Sequence, residues 1–414
     1  MGLNLRWVGD DERDRVGETR ALCYGRSSKE VAQYVEGVRQ DGRAGPGDWL
    51  LAERDGAFVG TATALPMTMW VRGGAVPCQG VAYVGTVKTH RRRTGNDPGI
   101  GTALMRETLR AARERGQVVS ALMPFRGSYY EHFGYGIVER RAEWTVPLAV
   151  MPAGDFETVG FYDAARDRDA LVQCRQRVAQ RGQADVERSP GAWEQHLRHV
   201  EETHFLVVDR HGDGPVRGWI SFEHLHDPAG PDTVKVNFDT GYEDVATLRR
   251  FLHFLASLRD QYTYASIQLP RDLPLNLLLK EPQMTHRANR NHPTPEMRPF
   301  TRMQVRVLDH ARLLSSMRLP HDHRPGKVVV AIRETEGTLS KLAIEMSGGT
   351  IAAAATDASA DVEMPDRTWG IIALGDLSAT RAAELGLINV TNRAPLGVLD
   401  ALAQGPAPFC REYF

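Results

Sequence analysis

Cysteine is scarce in this sequence, and long apolar runs are missing from it. The four cysteines, Cys23, Cys78, Cys174 and Cys410, lie far apart and form no Cys-x-x-Cys pair. This spacing excludes a disulfide framework and a zinc knuckle, and it fits a reducing compartment. No stretch approaches the roughly 18 uninterrupted apolar residues that a membrane-spanning helix needs. The sequence therefore predicts a protein that does not cross a membrane.

The sequence also has no excess of positive or negative charge, because the formal net charge is only −1. Such a balance gives no reason to expect a nucleic-acid or membrane partner. The first residues lack the apolar run of a secretory signal, so we expect a cytoplasmic protein. His224 and His226 place two imidazoles on one face of a strand, but no third ligand follows at a useful spacing. We therefore expect no metal site.

The chain is long enough for two or three domains, and one order of predicted elements occurs twice in it. Hairpin, strand, helix and strand follow one another in the first part, at residues 48–65, 81–90, 99–116 and 118–125. The same order recurs at residues 203–225, 233–258 and 263–269. A third block begins near Met303, with helices predicted at 308–317 and 379–386 and strands at 327–334 and 350–357. The pattern predicts a mixed α/β (α+β) fold that uses one unit twice.

The stretch HRRRTGNDPGIGTALM, residues 90–105, joins an arginine cluster to a glycine turn and a helix start. A turn of this kind aims backbone N–H groups and the positive end of the helix dipole at one point, which suits a phosphate. Glycine allows close approach of the backbone, and arginine can pair with phosphate oxygens. Taken alone, the stretch fits a phosphate site or a solvated arginine cluster before a helix.

The surrounding order of elements, with YYEHFGYG at residues 129–136, resembles the GNAT superfamily of N-acetyltransferases. More narrowly, TVKTHRRR, the degenerate second copy, the third block and a terminal Phe resemble the Eis-type aminoglycoside N-acetyltransferases. The resemblance implies a catalytic GNAT domain at residues 1–148, a degenerate GNAT-like domain at 149–299 and a sterol-carrier-protein-like domain at 300–414. It also implies acetyl-CoA as cosubstrate, an aminoglycoside or similar polyamine as acceptor, and a homo-oligomer, in this family a hexamer.

The resemblance also assigns residues to the cosubstrate. The pantetheine arm would pair with a strand formed by Val84, Gly85 and Thr86, and the pyrophosphate would face Arg92 and Arg93. The phosphates would lie in the glycine turn of Gly99, Ile100, Gly101 and Thr102. After the next strand, Phe125 and Arg126 would lie beside the cosubstrate.

Two residues take catalytic roles by the same resemblance. Tyr130 matches the general acid that protonates the departing thiolate, and the adjacent Tyr129 is the alternative register. The α-carboxylate of Phe414 matches the base that takes the proton of the amine. Acids for a polyamine would come from Glu131, Glu412 and residues 26–40. The alternatives are transfer of a different acyl group in natural-product biosynthesis and a non-catalytic CoA- or lipid-binding protein.

The family usually runs from its arginines almost directly into the glycine turn, whereas residues 94–98 intervene here. Either Asn96 stands in the loop where Gln or Arg is expected, or the arginines keep their place and the insert bulges outward. We favour the bulge, because Asp97 close to a pyrophosphate would repel it.

Overall fold

A computed structural model describes residues 2–91, 99–226, 230–284, 293–320 and 322–414. Three β-sheets organise these residues, two of eight strands and one of five. Apolar side chains of the first sheet, of the C-terminal block and of the chain's last residues join in one buried cluster, and the second sheet has a core of its own.

The first part of the chain alternates short helices with a meander of long strands. Its elements are β1 Asn4–Val8, α1 Arg13–Tyr24, α2 Val31–Arg39, β2 Trp49–Arg54, β3 Ala57–Val71, β4 Gly74–Thr86, α3 Ile100–Glu114, β5 Val119–Leu122, α4 Gly127–Glu131 and β6 Gly136–Ile137. Asp55 and Gly56, both at positive φ, make the tight turn between β2 and β3. Gly116, at φ +67°, follows the end of α3.

The middle part repeats this arrangement around a second sheet. Its elements are β7 Arg140–Pro147, β8 Val159–Phe161, α5 Ala164–Arg181, β9 Gln183–Glu187, α6 Pro190–Thr203, β10 Phe205–Arg210, β11 Val216–Leu225, β12 Thr233–Val236, β13 Gly241–Tyr242, α7 Val245–Ser257, β14 Tyr264–Pro270 and β15 Glu296–Thr301. In each copy a helix, α3 or α7, connects two parallel neighbours, β4 with β5 and β12 with β14. The repeat predicted from the order of elements is therefore a repeat of topology.

The C-terminal part contains the elements β16 Gln304–Val307, α8 His310–Ser316, β17 Gly326–Arg333, β18 Leu339–Ser347, β19 Thr350–Ala355, β20 Val362–Pro365, α9 Asp366–Ala373, α10 Ala379–Glu384, β21 Asn389–Val390 and α11 Leu396–Leu399. Five of these strands form the five-stranded sheet, in the order β19-β18-β17-β20-β21. Its likeness to sterol carrier proteins stays a prediction.

Several strands cross the domain borders expected from the sequence. The first sheet has the order β1-β2-β3-β4-β5-β16-β6 and receives β9 beside β3, so it takes strands from the expected second and third domains. Strand β7, expected in the first domain, lies in the second sheet between β15 and β14. The expected divisions after residues 148 and 299 therefore do not coincide with the borders of the sheets.

No helix in the described part of the chain is both long enough and apolar enough to span a membrane.

Candidate active site

Strands β4 and β5 begin as parallel neighbours and then separate. They pair only where Cys78 to Gly80 face Val119 to Ala121. Further along β4, the pairing with β3 shifts register between Thr61 and Thr63, and Tyr83 in the bulge has φ +52°. Bulges bend a strand and are common beside active sites. The stretch from Val84 to Thr86 consequently lines a cleft instead of pairing with β5.

The N-terminus of α3 opens into the same cleft. Gly99 precedes the helix at φ +90° and supplies no side chain to cap its first N–H groups. A Cβ at Gly101 would lie 2.8 Å from the Tyr129 hydroxyl and 3.8 Å from Thr86 Oγ1, so a side chain there would force the Tyr129 hydroxyl to move. Uncapped N–H groups at a helix start form an anion-binding position.

This cleft, which we call the donor cleft, has a volume of about 720 Å³. It brings together every predicted cosubstrate residue that the structure describes, namely Val84, Gly85, Thr86, Gly99, Ile100, Gly101, Thr102, Phe125 and Arg126. Arg92 and Arg93 lie outside the described residues, as does the insert 94–98. Four basic residues line the described part of the cleft, namely Arg54, His90, Arg91 and Arg126. No Asp or Glu occurs among the described lining residues. The cleft therefore favours an anionic ligand.

The corresponding helix of the second copy is closed at its N-terminus. Asp244 precedes α7, and its carboxylate accepts the N–H of Thr247 at 2.8 Å. A fixed negative charge in that position occupies the amide groups and repels phosphate. Among the residues that the structure describes, α7 therefore has a side-chain cap at its N-terminus and α3 has none.

Tyr130 lies in the short helix α4 and is buried in a group of aromatic rings. Its ring centroid is 5.0 Å from that of Tyr129, 5.9 Å from Phe125 and 6.3 Å from Tyr135. Burial raises the pKa of Tyr130 above its ordinary value, and Tyr129 adds to the shift. The phenol is therefore fully protonated at neutral pH.

The two adjacent tyrosines face different surroundings. Tyr129 lines the donor cleft, whereas Tyr130 is not among its lining residues. Tyr130 instead packs in a cluster with Val81 of β4, and Val84 contacts the same cluster. Burial also raises the pKa of Tyr24, with smaller contributions from the Cys23 thiol and from Tyr130.

The C-terminal segment is held by buried residues from both large sheets. The N–H of Cys410 donates to Glu139 Oε1 at 2.8 Å, and its carbonyl accepts from Arg141. The N–H of Arg411 donates to Asp185 Oδ1 at 2.8 Å, and its guanidinium donates to Oδ2 at 2.9 Å. Because these bonds are buried, the segment is a fixed part of the fold.

The last three residues are also held by contacts with the rest of the fold. Arg188 donates to the Glu412 carboxylate, and Arg43 Nη1 donates to the Tyr413 carbonyl at 3.1 Å. Phe414 is only 8% exposed, and it belongs to the buried apolar cluster of the first sheet.

Phe414 and Glu412 line a second cavity of about 810 Å³, which we call the acceptor cleft. Its other lining residues are Arg43, Pro46, Gly47, Asp48, Leu65, Pro66, Met67, Thr68, Pro77, Arg115, Gln117, Val186, Glu187, Arg188, Ser189, Pro190 and Ala192. Glu131, named from the sequence as a candidate acid, lies outside this lining and is 3.8 Å from Arg367.

Strand β4 connects the terminal residue to the donor cleft. A Cβ at Gly80 would lie 3.2 Å from a ring carbon of Phe414, so the ring rests against the point where β4 leaves β5. Val81, the next residue of β4, shares a buried cluster with Tyr130, and Val84 lines the donor cleft. Strand β4 therefore runs past the Phe414 ring, the cluster that contains Tyr130 and the donor cleft.

Sequence reasoning missed several residues of the donor cleft and of the contacts that hold the C-terminal segment. Tyr24 and Arg54 line the donor cleft from α1 and β2, and Asp185 binds the C-terminal segment from β9. No motif marks these three positions. His90 and Arg91 also line the donor cleft, and the basic run HRRR was the signal that could have identified them.

A group of three carboxylates occurs away from both clefts, at Glu334, Glu336 and Asp366. The Arg306 guanidinium lies against all three, at 3.5 Å from Glu334 and 3.6 Å from Asp366, and it donates to Glu336. The positive charge that such a group attracts is therefore already supplied by the protein.

His224, one of the two imidazoles considered in the sequence as a metal pair, stacks on Tyr262 with ring centroids 4.4 Å apart.

A splayed parallel strand pair, an uncapped helix start and a basic cleft together define a protein of the acetyltransferase class. Residues 4–138 match a family model described as an acetyltransferase (GNAT) domain, and residues 185–307 match a second model of the same description. The chain belongs to the GNAT superfamily and is an N-acetyltransferase with two GNAT domains. GNAT domains in general use acetyl-CoA as the acyl donor.

Relatives and solved structures agree with this assignment. An uncharacterised N-acetyltransferase of Streptomyces avermitilis is 28% identical over 393 residues, with 89% of each chain covered. A GCN5-related N-acetyltransferase from Anabaena variabilis has a TM-score of 0.82 at 17% identity, and Eis1 from Mycobacterium abscessus has a TM-score of 0.79 at 20% identity. Both structures are covered completely, as is this chain. The protein therefore has the whole-chain fold of an Eis-type GNAT.

Proposed function

We propose that the protein transfers the acetyl group of acetyl-CoA to an amine of an aminoglycoside or a similar polyamine. One observation carries the proposal: a basic cleft and a cleft lined by the chain's own terminus lie along one strand, with a buried tyrosine between them.

The donor cleft fits the chemistry of acetyl-CoA. Arg54, Arg91 and Arg126 suit its phosphates, and the uncapped N–H groups after Gly99 add to the attraction. Backbone groups of the stretch 84–86 suit the amide-bearing pantetheine arm, and their N–H groups can polarise a thioester carbonyl. When bound, acetyl-CoA supplies the activated acyl carbon.

Tyr130 and Phe414 divide the proton transfers. Because the Tyr130 phenol stays protonated at neutral pH, it can give its proton to the departing thiolate. The α-carboxylate of Phe414, held in position by the buried ring, takes the proton of the amine. An ordinary α-carboxyl titrates at about 3.5 and is a weak base, so its contribution depends on holding the amine in place.

Release of free CoA thiol from acetyl-CoA, measured with a panel of aminoglycosides and simple polyamines, tests the activity. Thiol release above background with an amine supports the proposal, and none with any amine would refute it. A parallel panel of longer acyl-CoA donors identifies transfer of a different acyl group, if that donor reacts faster than acetyl-CoA.

Two pairs of variants test the roles. Deleting Phe414 removes the aromatic ring and moves the terminal carboxylate back by one residue. Phe414→Leu removes the ring but keeps the carboxylate at its place in the chain. We expect a large loss of kcat only for the deletion. Tyr130→Phe should lower kcat with little change in the KM for acetyl-CoA, and Tyr129→Phe should show the opposite pattern because Tyr129 lines the donor cleft. A fall of kcat in Tyr129→Phe alone would reassign the acid.

We also propose that copies of the chain associate, as the resemblance implies. Phe161 and Phe205 are 63% and 46% exposed, and their ring centroids lie 6.0 Å apart in a tilted arrangement on the second sheet. Large exposed aromatic side chains in one patch commonly mark an interface. Light scattering of the purified protein measures the assembly, for which we expect six copies.

A further inference from the structure

The acceptor cleft contains three arginines, and each of them is already bound to a carboxylate. Arg43 pairs with Asp41 at 2.7 Å, Arg115 with Asp48 at 3.1 Å, and Arg188 with Glu412 and Asp239. The positive charge of each of these arginines is therefore already opposed by a carboxylate.

Glu187 is a further acid. It lines the acceptor cleft, and among the described residues it makes no ion pair with a cation. The indole N–H of Trp70 donates to Glu187 Oε2 at 3.1 Å, which fixes the carboxylate and leaves Oε1 without a hydrogen bond from any described side chain. A fixed carboxylate with one oxygen directed to no protein donor suits an ammonium group.

The distance to the terminal residue follows from the sheet. Glu187 on β9 faces Thr68 on β3, and β3 lies beside β4, where Gly80 faces Leu65 and contacts Phe414. Two strand spacings and three residues along the strand place the Cα atoms of Glu187 and Gly80 on the order of 14 Å apart. Glu187 and Phe414 both line the acceptor cleft, so one elongated acceptor within it can contact both.

We infer that Glu187 is a specificity-determining residue that binds a second ammonium group of the acceptor while another amine lies at the Phe414 carboxylate. The inference rests on the proposed function and deepens it. It predicts that the enzyme prefers diamines to monoamines of the same length, because only a diamine satisfies both carboxylates.

Octylamine and octamethylenediamine are matched probes for this inference. Calorimetry should show that the wild type binds the diamine about tenfold more tightly than the monoamine, the scale of one charge-assisted hydrogen bond. Glu187→Gln should abolish most of this preference. Glu194→Gln is the matched control, because Glu194 is an exposed acid of the neighbouring helix α6, outside the acceptor cleft, and it should keep the preference.

Equal preference in wild type and Glu187→Gln would overturn the inference, and so would loss of the preference in Glu194→Gln. Binding needs no turnover, so this result is separate from the proposed activity. Thiol release without a diamine preference would leave acetyl transfer intact and refute only the role of Glu187. If added salt lowers the ratio of the affinities for the diamine and the monoamine, the result supports an ammonium–carboxylate contact.

Discussion

Replacing Asp185 with asparagine should loosen the C-terminal segment and destabilise the protein. The Asp185 carboxylate is fully buried and accepts from Arg175 at 2.8 and 3.0 Å and from the main chain and side chain of Arg411 at 2.8 and 2.9 Å. Asp185→Asn leaves two buried guanidinium groups facing a neutral amide. Removing one partner of a buried ion pair costs about 3–5 kcal/mol, and we expect a loss of unfolding free energy of this size.

A double-mutant cycle separates this network from general disturbance of the core. Arg411→Met leaves Asp185 paired with Arg175, so it should cost only about 1–3 kcal/mol. The double variant should cost less than the sum of the two by about 1–3 kcal/mol, because the two side chains share one interaction.

Urea unfolding followed by tryptophan fluorescence measures each free energy, and thiol release measures kcat. We expect kcat to fall in Asp185→Asn while the KM for acetyl-CoA changes little, because Asp185 does not line the donor cleft. Additive costs within about 0.5 kcal/mol would refute the proposed coupling. Unchanged kcat in a destabilised Asp185→Asn would show that the tail stays in place without this carboxylate.

Three further results are expected. Gly101→Ala should raise the KM for acetyl-CoA several-fold, since its Cβ would lie 2.8 Å from the Tyr129 hydroxyl; an unchanged KM contradicts the tight turn. Burial raises the pKa of the Cys23 thiol to about 12, so iodoacetamide at neutral pH should label Cys23 only after unfolding, which peptide mass analysis checks. Burial alone would raise the pKa of Asp185, but the two arginines overcome this effect and hold the pKa below its ordinary 3.8. The difference in unfolding free energy between wild type and Asp185→Asn should therefore be constant above about pH 5 and shrink as the pH falls further. A difference that grows on acidification would contradict this sign.

Local features of the fold could be predicted from the sequence because they depend on neighbouring residues. Asp55 and Gly56 form the predicted hairpin turn with positive φ, and Gly99 sits at the predicted start of α3. The described residues assigned to the cosubstrate, including Phe125 and Arg126, line one cleft. Motif spacing carried this information, since strand, turn and helix follow one another directly in the chain.

Long-range pairings could not be predicted in the same way. Strands β9 and β16 are short, and nothing in their sequences shows that they join the first sheet rather than a sheet built from their neighbours in the chain. One acid of the acceptor cleft depends on these pairings. Glu187 reaches the cleft only because β9 pairs with β3, whereas Glu131, which stands beside the predicted acid in the sequence, faces Arg367 instead.

The second GNAT domain differs from the first at the position on which phosphate binding depends. Its helix α7 starts after Asp244, and that carboxylate takes the N–H group that a phosphate would need. The same domain contributes β9 to the first sheet, and β9 carries both Asp185, which binds the C-terminal segment, and Glu187, which lines the acceptor cleft. A copy that no longer offers an open helix start can still shape the acceptor side of the other copy. The donor cleft is thus lined by the first domain alone among the described residues, whereas the second domain supplies part of the lining of the other cleft.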